Sequence, residues 1–131
     1  MVNYLDYAAT TPVHPEVLEV ITKEMASFGN PSSVYRIGRE QKQKIERVRK
    51  AILKELQASP HDAIIFTSSG SEGNNLVFES IREHFAKEKG HIIVSAVEHP
   101  SVRKSAEFLA KEGFEVTYLA PNKEGSVEVS A

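Results

Sequence analysis

The sequence predicts an α/β fold, because short apolar runs alternate with stretches of helical periodicity. The apolar runs at residues 63–67, 91–95 and 115–119 are typical of buried strands. Strands alternating with helices indicate right-handed βαβ units and a mainly parallel sheet. Ligands bind such sheets beyond the carboxyl ends of the strands, so we expect a site at residues 68–71 and 96–99.

Apolar residues at helical spacing predict four helices, separated by residues that break helices. The predicted helices are residues 16–27, residues 34–56, the stretch that follows residue 71, and residues 100–111. Gly29 and Pro31 separate the first two helices, since neither residue continues a helix well. Gly113 is placed to end the fourth helix as a left-handed cap, and residues 122–125 predict a turn.

Composition is that of an ordinary globular protein and excludes several classes of function. The 131 residues are 40% hydrophobic and 26% charged, which indicates one domain or part of one. A formal charge of −2 without a block of one sign indicates no nucleic-acid or membrane partner. No apolar run approaches the length that spans a bilayer, and Met1 leads directly to Asp6 without a signal segment, so we expect a cytoplasmic protein.

Metal and thiol chemistry receive no support from the sequence. The chain contains no cysteine, so these residues hold no disulfide, no thiolate metal site and no thiol nucleophile. His14, His61, His84 and His91 show no metal-ligand spacing, and we expect no metal site.

Small and polar residues at 67–72 stand between a predicted strand and a predicted helix. Free backbone N–H groups and the helix dipole favour an anion there, phosphate above all. Gly70 would let a ligand approach the backbone, and Ser71 would add a hydroxyl donor. An equally weighted interpretation is that Ser71 simply caps the third helix. The segment lacks the Gly-Lys-Ser/Thr ending of nucleoside triphosphatases.

His99 follows the second predicted strand and stands at the predicted start of the fourth helix. The positive end of that helix disfavours a protonated ring. A neutral imidazole at this point could stack on a flat cofactor and move protons. On position alone, a polar helix-start residue without a catalytic role is the more common case.

Four segments together resemble the beginning of the NifS/IscS-like cysteine desulfurases, within the class V branch of aminotransferase-like pyridoxal-phosphate (PLP) enzymes. They are residues 4–11, 28–33, 66–72 and 98–99, and they follow one another in the order and spacing of that family. The resemblance implies part of a PLP-dependent transferase fold of the aspartate aminotransferase type, a mainly parallel sheet with flanking helices. It also implies that residues 1–14 lie near the cofactor mouth or in a small domain, and that residues 15–131 begin the large PLP-binding domain.

The same resemblance implies roles for individual residues. The backbone at Gly70 and Ser71, together with the Ser71 hydroxyl, would hold the PLP phosphate, and His99 would stack on the pyridine ring. Asn74 and Asn75 match a polar pair on the helix that follows the phosphate-binding residues.

Some positions depart from the family pattern. Tyr35 stands where the family commonly has histidine, and the glycine that is usual at Ser69 has moved to Gly70. The Schiff-base lysine, the aspartate that pairs with the pyridine nitrogen, the arginine that binds the substrate carboxylate and the sulfur-accepting cysteine all lie farther along the chain in the family. We therefore assign no catalytic residue within these 131.

The resemblance thus implies the N-terminal part of a cysteine desulfurase, inactive alone, whose full-length form converts L-cysteine to L-alanine and passes sulfur on as an enzyme persulfide. It implies a homodimer at full length, a sulfur-acceptor protein, and a role in iron–sulfur cluster or thio-cofactor assembly. Two alternatives stay open: a non-catalytic half that complements a separate chain, and a selenocysteine lyase or other class V enzyme. The strand at residues 63–67 would lack its family neighbours here, so we expect a marginal, rearranged or partner-dependent fold.

Overall fold

A computed structural model describes residues 3–59 and 61–128. The chain divides into two compact units, Met1–Ile64 and Ile65–Ala131. The division into residues 1–14 and 15–131 that the resemblance implies stays a prediction. The described residues form α1 (Pro15–Met25), α2 (Arg36–Glu55), α3 (Gly70–His84), β1 (His91–Ser95), α4 (Pro100–Lys111) and β2 (Glu115–Leu119).

In the first unit, polar contacts join the end of α1 to α2. Lys44 Nζ donates to Glu24 Oε2 at 2.6 Å and to Ser27 Oγ at 3.0 Å, and Gln41 Nε2 also donates to Ser27 Oγ. Both helices have an apolar face, yet no residue of α1 is buried and Gly38 alone is buried in α2. This unit therefore has no apolar core within the described residues.

Gly38 is buried because the loop at residues 30–33 folds onto the first turn of α2. The Ser32 N–H donates to Asn30 Oδ1 at 2.9 Å, and the Ser33 N–H donates to the Asn30 carbonyl oxygen at 3.0 Å. A Cβ atom at residue 38 would collide with Ser33 Oγ and with the Asn30 carbonyl oxygen. Only glycine allows this close approach without a shift of the loop.

The second unit contains a parallel β-α-β arrangement, as the sequence predicts. β1 pairs with β2 from His91 opposite Glu115 to Ser95 opposite Leu119, and α4 between them packs on both strands and against α3. The buried apolar residues are Val94, Ala106, Leu109 and Phe114. The bounds of β1, α4 and β2 agree with the predicted ones. Gly113 ends the α4 segment with a φ of +94°, which confirms the left-handed cap.

The predicted strand at residues 63–67 is wrong for this chain, because residues 62–67 form neither helix nor strand. Ile65 and Phe66 are 67% and 51% exposed, whereas the prediction required both to be buried. A strand exists only when a neighbour pairs with it, and the two strands of the described residues pair with each other. The apolar run has the composition of a strand, but it does not belong to the sheet that β1 and β2 form.

Two smaller predictions concern the end of the chain and its helices. The Gly125 N–H donates to the Asn122 carbonyl oxygen at 3.0 Å, which confirms the predicted turn. Among the described residues, no helix is both long enough and apolar enough to cross a membrane.

Candidate functional site

The first turn of α3 contains the predicted anion-binding segment. Ser69 is the N-cap residue, and its Oγ accepts a hydrogen bond from the Glu72 N–H at 3.2 Å. The interpretation that Ser71 caps this helix is therefore wrong, since the cap lies two residues earlier. The Ser71 hydroxyl makes no hydrogen bond with any described residue.

Glu72 is bound to the segment just before the helix. Its Oε2 accepts hydrogen bonds from the Ser68 hydroxyl at 2.6 Å and from the Ser68 N–H at 2.5 Å. These bonds, the side-chain one first, lower the pKa of Glu72 below its ordinary value of 4.5. The carboxylate is thus held on Ser68 and accepts no hydrogen bond from the backbone N–H groups of Gly70 and Ser71.

Three donors remain available at this helix start. The first N–H groups of a helix have no partner within the helix. The N–H groups of Gly70 and Ser71 make no hydrogen bond with any described residue, and the Ser71 hydroxyl is the third donor. A Cβ atom added at Gly70 would meet nothing within 4 Å, so the space beside the backbone is open. This set of donors at the positive end of a helix fits a phosphate group.

His99 is the N-cap residue of α4, with Pro100 in the first helical turn. Its Nδ1 accepts a hydrogen bond from the Ser101 N–H at 3.2 Å and lies 2.8 Å from Ser101 Oγ. The predicted position at a helix start is confirmed, and the ring is exposed. The imidazole is therefore held through one nitrogen while its other edge is open.

Ser71 and His99 line one groove, which lies within the second unit between α3 and α4 and has a volume of about 800 Å³. Its charged lining residues are Lys104, Glu72 and Glu79, and Glu79 is already ion-paired with Arg82. Gly70 directly precedes Ser71 and is not among the lining residues. The structure thus brings two of the three predicted cofactor residues, 28 positions apart in sequence, to one surface.

Sequence reasoning did not predict the helix cap at Ser69 or the contact of Asn74 with Ser101. Ser69 and Glu72 have the Ser-x-x-Glu spacing of a capping box, and that signal could have placed the helix start at Gly70. Asn74 and Ser101 are joined by a hydrogen bond of 2.9 Å across 27 residues, for which no local sequence signal exists.

The second unit has free hydrogen-bond donors at the start of α3 and a histidine at the start of α4, beside its β-α-β arrangement. These features agree with those that the sequence motifs suggest for a PLP enzyme. The sequence pattern of the family described as aminotransferase class-V matches residues 3–131. The chain therefore belongs to the class V aminotransferase family.

Individual relatives indicate which members of this family the chain resembles. The chain is 45% identical over 126 residues to the cysteine desulfurase IscS of Dictyoglomus turgidum, a match that covers 95% of this chain and 32% of that protein. A solved NifS-like protein superposes with a TM-score of 0.91 at 34% identity, covering 99% of this chain and 36% of the other. SspA, solved in complex with cysteine, gives a TM-score of 0.83 at 39% identity, covering 92% and 35%.

The chain thus spans about a third of the length of the relatives it matches. This confirms the expectation that the resemblance involves only part of a longer family enzyme. The structural neighbours also confirm the predicted fold class, an α/β fragment with a small parallel sheet and flanking helices.

Proposed function

We propose that Gly70, Ser71 and His99 form part of a PLP site, and that the chain is the N-terminal part of a cysteine desulfurase. The observation that carries the proposal is the single groove lined by both Ser71 and His99. The groove therefore contains both a position for a phosphate group, at Ser71, and a flat side chain, that of His99, which can cover an aromatic ring.

The phosphate would be held at the start of α3. The N–H groups of Gly70 and Ser71 and the Ser71 hydroxyl donate hydrogen bonds to it, and the helix dipole stabilises its charge. Glu72 is bound to Ser68 and does not occupy these donors. Open space beside Gly70 allows the phosphate to approach the backbone.

His99 would cover the cofactor ring. Because Nδ1 accepts from the Ser101 N–H, the proton of the neutral ring lies on Nε2. A neutral, flat ring can stack on an aromatic cofactor and still donate one proton from Nε2. When bound, PLP supplies the electron sink that stabilises negative charge on a substrate carbon.

The substrate assignment rests on the relatives. Proteins named cysteine desulfurase match almost the whole chain, and the neighbour SspA was solved with cysteine. We propose L-cysteine as the substrate, L-alanine as the product and an acceptor protein for the sulfur, in a cytoplasmic homodimer. The 131 residues contain no cysteine, so the persulfide sulfur must be carried by a thiol outside them.

A chimera tests this function. In it, these 131 residues replace the matching segment of the Dictyoglomus turgidum enzyme, and sulfide release from L-cysteine is measured with added PLP and dithiothreitol. We expect activity that His99→Ala lowers and that His84→Ala, a histidine outside the groove, leaves unchanged. A folded, PLP-loaded chimera that releases no sulfide from cysteine would disprove the desulfurase proposal.

A second candidate is a non-catalytic half that pairs with a separate chain. The apolar face of α1 favours it, because Leu18, Ile21 and Met25 are 44% to 81% exposed, and an exposed apolar face marks a site of contact with another chain. Intact mass of the native protein decides between the two candidates. A native mass near 14.5 kDa together with a co-purifying second chain supports the paired half. A native chain about three times longer excludes it.

A further inference from the structure

A row of hydrogen bonds runs from α3 to the ring of His99. Asn74 Nδ2 donates to Ser101 Oγ at 2.9 Å, and Ser101 Oγ lies 2.8 Å from His99 Nδ1. The Ser101 backbone N–H also donates to Nδ1 at 3.2 Å. Asn74 and Ser101 are half-buried, so water competes less for these bonds than it does on the open surface.

The direction of these bonds follows from the chemistry of the groups. A backbone N–H and an amide nitrogen can only donate, so Ser101 Oγ accepts from Asn74 and Nδ1 accepts from the Ser101 backbone. The Ser101 hydroxyl proton is then free to donate to Nδ1. The two Ser101 donors share the one lone pair of Nδ1, which leaves Nε2 as the only ring nitrogen that can carry the proton of a neutral imidazole.

We propose that Ser101, oriented by Asn74, is a positioning residue that holds His99 in its Nε2–H form and turns this N–H toward ligands of the groove. Nε2 makes no hydrogen bond with the described residues, so its proton is available. The inference rests on the proposed function only in assigning that proton to the PLP site.

One consequence is that both halves of the site depend on one helix. The first turn of α3 carries the phosphate donors Gly70 and Ser71, and Asn74 on the same helix orients Ser101 and, through it, His99. The bond from Asn74 to Ser101 would therefore link the phosphate end of the groove to its ring end. If Ser101 and Asn74 only packed the two helices together, the direction of their hydrogen bonds and the tautomer of the His99 ring would not matter.

The test uses the full 131-residue chain without PLP and reads the tautomer of His99 from long-range ¹H–¹⁵N spectra of its ring. Wild type should show the Nε2–H form. In Asn74→Asp, the carboxylate accepts the Ser101 hydroxyl proton, and Ser101 Oγ then becomes an acceptor toward Nδ1. We expect the ratio of Nε2–H to Nδ1–H to fall about 2- to 12-fold, the range that one hydrogen bond provides.

Two serine substitutions on α4 separate positioning from packing. Ser101→Ala should lower the same ratio, and Ser101→Thr should restore it because the hydroxyl is retained. Ser105→Ala is the matched control. It removes the hydroxyl that lies 2.7 Å from Asn75 Oδ1 and 2.8 Å from the Ser101 carbonyl oxygen, but it leaves the Ser101 hydroxyl and N–H in place, so His99 should be unchanged.

Two results would overturn the inference: a wild-type ring with the tautomer mixture of free histidine, or a ratio that neither Asn74→Asp nor Ser101→Ala changes. Because the readout needs no cofactor, it is independent of PLP binding. A chain that binds PLP with an unfixed ring refutes this inference alone, and a fixed ring without PLP binding refutes the proposed function alone.

Discussion

The two units of the chain differ in how they use similar amounts of apolar sequence. In the second unit, Ala106 and Leu109 of α4 are almost completely buried against a parallel strand pair. In the first unit, α1 is as amphipathic as α4 is, yet Leu18, Ile21 and Met25 remain between 44% and 81% exposed. The second unit therefore has a small core of its own, whereas the apolar faces of the first have no cover among the described residues.

An amphipathic pattern therefore indicates that a helix face is buried in the complete assembly. It does not show that the same chain supplies the residues that bury it. A helix stabilises a protein chiefly by packing its apolar face. The β-α-β arrangement satisfies that need locally, because its partners are close in sequence. The apolar face of α1 has no such cover among the described residues.

The largest expected difference is between the buried face of α4 and the exposed face of α1. Leu109→Ala should lower the free energy of unfolding of the second unit by about 2–5 kcal/mol, because Leu109 is 1% exposed and its loss leaves a cavity in the interior of that unit. Leu18→Ala, the same change on the exposed face of α1, should change stability by less than about 0.5 kcal/mol. Urea unfolding followed by circular dichroism measures both. Equal effects would show that the first unit has a core after all.

Gly38→Ala should be the most damaging change in the first unit. The new Cβ would displace the loop at residues 30–33, at a cost of about 1–3 kcal/mol typical of overpacking. Hydrogen exchange at the Ser32 and Ser33 amides should accelerate, while exchange in β1 stays as in wild type. Gly90→Ala is the control, since a Cβ there meets nothing within 4 Å. Unchanged exchange in Gly38→Ala would contradict the close approach.

Removing the cap of α3 should have a moderate effect. Ser69→Ala deletes the acceptor of the Glu72 N–H and should cost about 1 kcal/mol. Ser80→Ala on the same helix removes only a bond to the Leu76 carbonyl and should be nearly neutral. Urea midpoints of the two variants give the comparison. A larger loss for Ser80→Ala would place the helix start elsewhere.

The smallest effect concerns pH at the same helix start. The pKa of Glu72 is lowered by Ser68, so its contribution to stability is complete above pH 4.5 and is lost as pH falls through the lowered pKa. Because the group is exposed, we expect a small effect. The difference in unfolding midpoint between wild type and Glu72→Gln should shrink from pH 7 to pH 3. A difference that grows on acidification would contradict the hydrogen bonds to Ser68.

Local signals predicted much of the second unit. The bounds of β1, α4 and β2 agree with those read from apolar runs and from Gly113, because each element and its breaker lie within a few residues. α1 and α2 also agree, within two residues at each end. The strand at residues 63–67 failed because strand formation depends on a neighbour that no local pattern reveals.

The candidate site was predicted in position but not in detail. Ser71 and His99 follow from strand-to-helix transitions and from the family resemblance, and the structure places both on one groove. The cap at Ser69 was missed although its spacing to Glu72 is a local signal. The contacts of Asn74 with Ser101 could not be predicted, since they arise only when α3 packs against α4.

Phosphate binding at the start of α3, beside His99, can be measured by titrating the 131-residue chain with PLP and following the ³¹P resonance of the PLP phosphate. We predict saturable binding of PLP to one site, and inorganic phosphate should compete for that site. Ser71→Ala should weaken the binding, whereas Ser80→Ala should leave it unchanged. The bound PLP should not show the absorbance of a lysine-linked imine. Absence of saturable binding, or binding by Ser71→Ala as tight as that of wild type, would contradict a phosphate site at the start of α3.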